Sequence, residues 1–334
     1  MTLLVTGGCG LVGAHVVRRY LSDEPARRAI VVDLARPDAD ASAWFADVSA
    51  RLDFVQADLA ERAALVGLHG ADEITHVVHA ATVTGFPAWE RERPRRYLDV
   101  NVGGTVNVLE LARTLPALRR LVYLSSGSVY GPPLPSSPES PQPEEGPLNP
   151  RELYAISKEV GERIGRRYAE LFGLDLRAAR LSGIFGPLER PTAGRVGMST
   201  LHAVGTAHRE RRPLRVTERS LAAGGDFLSA EDVAIGIVSL MLADHLRHDL
   251  YNLAFGRFTL VSEVVEAAIG AGVEVLVVGD GEPADIDLDP GNRRGRWNAY
   301  DISRARQDLG FAPRDLASQL RSYLDWVDGE AAPG

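Results

Sequence analysis

Through the first half of the chain, short apolar runs alternate with longer amphipathic segments. Residues 3–6, 29–33, 52–56, 76–79, 121–125 and 176–181 read as strands. Between them, 14–21, 60–68, 96–114 and 154–172 place apolar residues at helical spacing. The strand runs are apolar on both faces, which is the mark of a sheet buried between two layers. Strands that alternate with helices pair in parallel. The pattern predicts an α/β fold built on a doubly wound parallel sheet, whose ligands bind beyond the carboxyl ends of the strands.

Residues 131–151 interrupt the alternation with a loop rich in Pro, Ser and Glu, which is expected to wall or cover the active site. After residue 181 the regularity weakens. Helices are expected at 198–208, 260–269, 303–309 and 316–326, and strands at 249–253 and 273–278. Ser229-x-x-Asp232 is a capping signature that opens a helix through 242. The chain therefore divides into a main domain, 1–182 with 226–257 returning to it, and a smaller C-terminal substrate-binding lobe, 183–225 and 258–328. Residues 329–334 read as a disordered tail.

Composition narrows the function. The net charge of -8 argues against a nucleic-acid surface. One cysteine, Cys9, excludes an intramolecular disulfide and fits a reducing compartment. No secretory signal and no apolar run of spanning length is visible, so a soluble cytoplasmic protein without a membrane partner is expected.

The first strand runs into Thr6-Gly7-Gly8-Cys9-Gly10-Leu11-Val12-Gly13 and then a helix. Gly7 permits a tight turn, Gly10 a close approach to a pyrophosphate, and Gly13 close packing of helix on strand. The helix start offers free N–H groups to the phosphates. Strand, glycines and helix in this order predict a Rossmann-type dinucleotide site. Asp33 ends the second strand, 20 residues past Gly13, where a carboxylate accepts from ribose hydroxyls and repels a 2′-phosphate. NAD is therefore expected over NADP, although Arg36 stands nearby. Asp58 is a candidate acceptor for the adenine amino group and also a turn or N-cap residue. Cys9 reads as a packing residue and His79 as structural.

Lys158 is the only lysine among 37 basic residues. Tyr154 precedes it by four positions, so on a helix both point to one side. A cation beside a phenol lowers its pKa and makes it a proton-transfer group.

Taken together, these motifs resemble the extended short-chain dehydrogenase/reductase family, the NAD-dependent epimerase/dehydratase group similar to UDP-glucose 4-epimerases. The resemblance rests on the glycine motif, His79-Ala80-Ala81, Asn101-Val102-Gly103-Gly104-Thr105, Leu124-Ser125-Ser126-Gly127-Ser128-Val129-Tyr130-Gly131, Tyr154-Ala155-Ile156-Ser157-Lys158 and Asp226-Phe227-Leu228-Ser229-Ala230-Glu231-Asp232-Val233. It implies Ser126 as the catalytic serine, Tyr154 as general acid/base, and Lys158 as the group that holds the nicotinamide ribose and lowers the pKa of Tyr154. It implies cofactor contacts from Gly7, Gly10, Leu11, Val12, Asp33, Asp58, Leu59, Ala80, Ala81, Asn101, Tyr154 and Lys158. Substrate contacts would come from Thr82, Ser126, Ser128, Gly183, Arg293 and Arg294. It also implies a homodimer formed through 96–114 and 154–172.

Three positions depart from the group's pattern. Ser126-Gly127-Ser128 lacks the carboxylate of the dehydratases, Gly183 stands where many nucleotide-sugar enzymes have Asn, and Gly225 where Arg is usual. The expected activity is an NAD-dependent epimerase of a small-molecule sugar or nucleotide sugar, acting through a transient keto intermediate. The alternatives are a net dehydrogenase of a sugar, sugar acid or other secondary alcohol, and a non-catalytic NAD-binding regulator.

Overall fold

The computed structural model describes residues 1–132, 140–292 and 295–329. Seven parallel strands form the main sheet: β1 (Thr2–Thr6), β2 (Arg28–Asp33), β3 (Leu52–Gln56), β4 (Ile74–His79), β5 (Arg120–Ser126), β6 (Leu176–Leu181) and β7 (Leu250–Leu253). Their order is β7-β6-β5-β4-β1-β2-β3, so the chain reverses its direction of travel between β1 and β4. Alternate side chains divide between two cores. Leu3, Val5, Val31 and Leu124 point into one layer, under helix α1 (Leu11–Asp23), and Leu4, Ile30, Val77 and Tyr123 into the other, under α2 (Gly104–Ala112). A third core gathers Phe185, Leu201, Leu214, Val264, Leu320 and Tyr323 from the later segments. No helix among the described residues is long and apolar enough to cross a membrane.

Helix α3 (Leu153–Phe172) lies unusually close to the sheet, because its inner face is Ala155, Ser157, Gly161 and Gly165. A Cβ on Gly161 would stand 2.1 Å from the Tyr123 hydroxyl. Such proximity brings Lys158, on the same face, within reach of the sheet's backbone. Left-handed Gly173 ends the helix. The helix α4 (Ala230–Leu242) starts as its sequence signature foretells, with the Ser229 hydroxyl accepting from Asp232 N at 3.1 Å.

Two expectations need correction. Residues 60–68 form successive turns, not a helix. Asp58 folds back on Ala60 N at 3.0 Å, and Leu65 is buried while Val66 stays 80 % exposed, so the segment has no continuous apolar face to dock. The 131–151 loop does not cover the site in its described part. Gln142 N bonds Ala299 O, Asn149 N bonds Val129 O, and Glu144 is buried against Asn252. Residues 133–139 lie outside the described residues.

Candidate active site

The turn from β1 to α1 builds the floor of the first cavity. Gly7 has φ +70°, and a Cβ there would stand 2.6 Å from the Ala81 backbone; one on Gly13 would stand 2.3 Å from Gly7 O. The start of α1 carries no side-chain cap and no acidic residue in its first turn. Its free N–H groups and positive end are therefore open to an anion. The cavity measures about 360 Å³ and runs from Asp33 past Gly10 to Thr84, at the crevice between β1 and β4. Asp33 accepts from Cys9 N at 2.9 Å. Burial raises its pKa, and backbone N–H groups of Cys9, Leu34 and Ala35 pull the other way.

The far wall comes from the segment that follows β6. Leu188 and residues 190–195 line the cavity as a strap. Thr84 N donates to Gly194 O at 2.8 Å, and Arg190 grips Asp38 with two contacts of 2.7 and 2.8 Å. Further along, Glu189 anchors Arg195 at 2.5 Å and Ser199 N at 2.7 Å. Sequence reading missed this strap, since nothing in its spacing marks it.

At the end of β5, Ser126 Oγ accepts from Ser128 N at 3.2 Å, closing the short turn Gly127–Tyr130. Tyr154 stands in the first turn of α3 and Lys158 one turn on, its Nζ 5.9 Å from the Tyr154 ring centre and 5.3 Å from that of Tyr123. The ammonium donates to Leu124 O at 2.8 Å. The desolvated surroundings raise the phenol pKa of Tyr154, while a Ser126 hydrogen bond and the Arg195 charge lower it. Desolvation outweighs both, so the phenol stands above its ordinary pKa despite the nearby cations. Desolvation acts on both groups, and burial takes the Lys158 amine itself down to about 7 against the opposing pull of Glu162. Near neutral pH the pair is a neutral phenol beside an amine poised to gain or lose a proton.

A buried ionic network supports this corner. Arg180 holds Glu162 through contacts of 2.9 and 2.7 Å, and Ser125 Oγ donates to the same carboxylate at 2.5 Å. Glu162 is one turn beyond Lys158, and Ser125 is the neighbour of Ser126, so one carboxylate braces both. Sequence reading missed it as well; a glutamate four residues past the lone lysine was the available signal.

Tyr154 also lines a second cavity of about 490 Å³ with Gly85, Phe86, Pro87, Glu90, Tyr97, Glu152, Asn292 and Trp297. Thr84 lines the first cavity and Gly85 the second, so the two meet there.

Of the expected cofactor contacts, Gly7, Gly10, Leu11, Val12, Asp33, Asp58, Leu59, Ala80 and Ala81 line the first cavity, with Thr82 from the substrate set. Asp58 is already engaged, by Ala60 N and by Arg96 at 3.0 Å. Asn101 lines neither cavity. It clamps the backbone of Val83 at 2.7 and 3.0 Å and donates to Ser157 at 2.9 Å, from a π-helical turn, Tyr97–Gly103. Val83, whose backbone it holds, lines the first cavity. Ser128 Oγ is buried without a hydrogen-bond partner. Gly183 opens a three-residue strand against Phe227–Ser229 and lines neither cavity. Arg293 and Arg294 lie outside the described residues. His79 is structural, bonded to Thr6 and Thr105 and pushed by burial to about 3. Cys9 is pushed up to about 12 by burial, as suits a packing thiol.

Comparison with known proteins agrees with this geometry. Residues 3–254 match the NAD dependent epimerase/dehydratase family. The chain is 26% identical over 331 residues to a putative UDP-glucose 4-epimerase of Methanocaldococcus jannaschii, covering 97% of this chain and 98% of that one. It is 25% identical over 339 residues to UDP-glucuronate 4-epimerase 6 of Arabidopsis thaliana, covering 98% and 72%. Its fold matches UDP-glucose 4-epimerase of Thermotoga maritima, solved with UDP-glucose (TM-score 0.80, 20% identity, 98% and 99% covered), and UDP-glucuronic acid 4-epimerase of Bacillus cereus, solved with NAD (TM-score 0.77, 20% identity, 98% and 99% covered). A glycine cradle at the sheet's switch point, a strand-end carboxylate, a Ser126/Tyr154/Lys158 corner and a match over three-quarters of the sequence lead to one conclusion: the chain belongs to the NAD dependent epimerase/dehydratase family.

Proposed function

We propose that the protein epimerises a nucleotide sugar at one ring carbon through a transient keto sugar. The observation that supports this reading is Tyr154 in the wall of the second cavity, with Ser126 hydrogen-bonded to it and the Lys158 Nζ 5.9 Å from its ring. The first cavity suits NAD: Gly7, Gly10 and Gly13 leave room for a pyrophosphate over the α1 start, and Asp33 would accept from the adenosine ribose hydroxyls. When bound, NAD supplies the hydride acceptor and donor. The protein's own groups move the proton. Once its phenol has lost its own proton, Tyr154 as phenolate takes it from the sugar hydroxyl as the carbonyl forms and returns it when the carbonyl is reduced, with Ser126 Oγ donating to the same oxygen. Lys158, balanced near pH 7, adjusts the charge beside the phenol.

Elimination chemistry is disfavoured by the Ser126-Gly127-Ser128 turn. A Cβ on Gly127 would stand 2.5 Å from the Tyr300 hydroxyl, so no carboxylate-bearing side chain fits there without moving that ring. The resemblance also carries pairing of two copies through 96–114 and 154–172; Leu98 and Ile156, which are exposed, lie on those segments.

The test is turnover of UDP-hexoses by the holoenzyme, read by NMR of the sugar and by absorbance of NADH. Epimer forms without net NADH, and Tyr154→Phe lowers kcat by about 10²–10⁴-fold while NAD still binds. NADH accumulating in step with product would make the enzyme a dehydrogenase instead.

A further inference from the structure

The strap is fastened differently at its base and along its length. Leu188 and residues 190–195 line the first cavity together with Gly7, Gly10 and Asp33, and Pro191, Thr192 and Ala193 are exposed. The base is fixed: Glu189 is buried and accepts from Arg195 at 2.5 Å and from Ser199 N and Oγ at 2.7 Å each. Beside it stands Leu188 at φ +65°, a left-handed conformation that residues with a side chain rarely adopt and that persists only where the surroundings impose it. Beyond the base, one tie reaches the segment after β4, where Thr84 donates to Gly194 O through its N at 2.8 Å and its Oγ1 at 3.1 Å. The other tie reaches the segment after β2. Arg190 donates to Asp38 through Nε at 2.7 Å and Nη2 at 2.8 Å, and its Nη1 donates to Leu188 O at 3.0 Å. The guanidinium thus couples the turn at Leu188 to Asp38, five residues past Asp33 and itself a lining residue of the cavity. The Asp38 side chain is half exposed, and it also caps the short helix Ala39–Trp44 by accepting from Ala41 N at 2.9 Å.

We propose that the strap is the gate through which the dinucleotide enters and leaves, and that the Arg190–Asp38 pair is its latch. Both ties join protein to protein, so they favour the shut form whether or not NAD lies beneath it. A bidentate guanidinium–carboxylate pair is directional, yet one open to solvent on its acidic side contributes modestly. Such a latch slows passage without forbidding it. In the proposed epimerisation one coenzyme stays through both hydride steps, which a shut strap secures. The gate itself needs only NAD binding, so the two readings stand or fall separately.

Stopped-flow fluorescence of NADH tests the gate: binding to the coenzyme-free protein gives the association rate, and a chase with excess NAD gives the release rate. Arg190→Gln removes one charge of the latch. Asp38→Asn removes the other, and an asparagine still caps the helix. Each variant is expected to speed association and release together by about three- to tenfold, with Kd kept within about twofold, because loss of the latch opens the free and the loaded protein alike. The double variant is expected to be no faster than either single one, as for two halves of one contact. NADH binding itself shows that each variant is folded. Unchanged rates in either single variant, or effects that add in the double variant, overturn the latch. Faster release with a matching loss of affinity in Arg190→Gln overturns it too, and makes Arg190 a direct contact to the dinucleotide instead.

Discussion

Replacing Lys158 by Met should make the coenzyme-free protein more stable at neutral pH while abolishing its activity. The amine is 3% exposed, and burial brings it from its ordinary 10.5 to about 7. At pH 7 the unfolded chain carries this proton fully and the folded chain carries it half the time. With 1.36 kcal/mol per pH unit, the mismatch costs the fold about 4 kcal/mol. Methionine removes that cost and fills the same space, but gives up the bond to Leu124 O, worth about 1 kcal/mol. The net gain at pH 7 is about 3 kcal/mol. Between about 7 and 10.5 the unfolded state binds more protons than the folded state, so wild-type stability rises with pH. By pH 9.5 the remaining cost is about 1 kcal/mol, and the two proteins differ by less than about 1 kcal/mol. Urea unfolding of both proteins at the two pH values measures this, and groups common to both, such as Cys9, cancel in the difference. A variant less stable than wild type at pH 7, or a gap that stays constant across the range, refutes the reasoning.

Two further outcomes follow from the same geometry. Glu162→Gln leaves Arg180 buried without its counter-charge and should lower stability by on the order of 3 kcal/mol, read as a shifted urea midpoint with an unchanged slope. Asp33→Ala should weaken NAD by about 10–100-fold, the worth of a lost charge-assisted hydrogen bond, as measured by calorimetric titration.

Much of the site was legible because its chemistry sits in local patterns. The glycine spacing and the strand-end Asp33 each lie within one β–α unit, and Tyr154 and Lys158 within one helical turn. What escaped were groups whose meaning depends on distant partners. Asn101 looked like a cofactor residue on a helix, yet its amide is spent on Val83 and Ser157. Lys158 looked like the group that acidifies Tyr154, yet burial governs both pKa values, and burial is not a property of a four-residue spacing. Residues 60–68 have helical composition, but only a docking surface makes such a segment a helix, and the chain provides none.

By itself, then, the sequence determined the strand–helix alternation, the parallel sheet and the positions of cradle and catalytic pair, since backbone propensity and short-range periodicity fix these. The tertiary structure alone decided the strap at 188–195, the Glu162–Arg180 brace and the acidic, aromatic wall beside Tyr154. Each of these joins residues far apart along the chain, and a contact of that kind exists only once the hydrophobic layers have closed and set the distances between them.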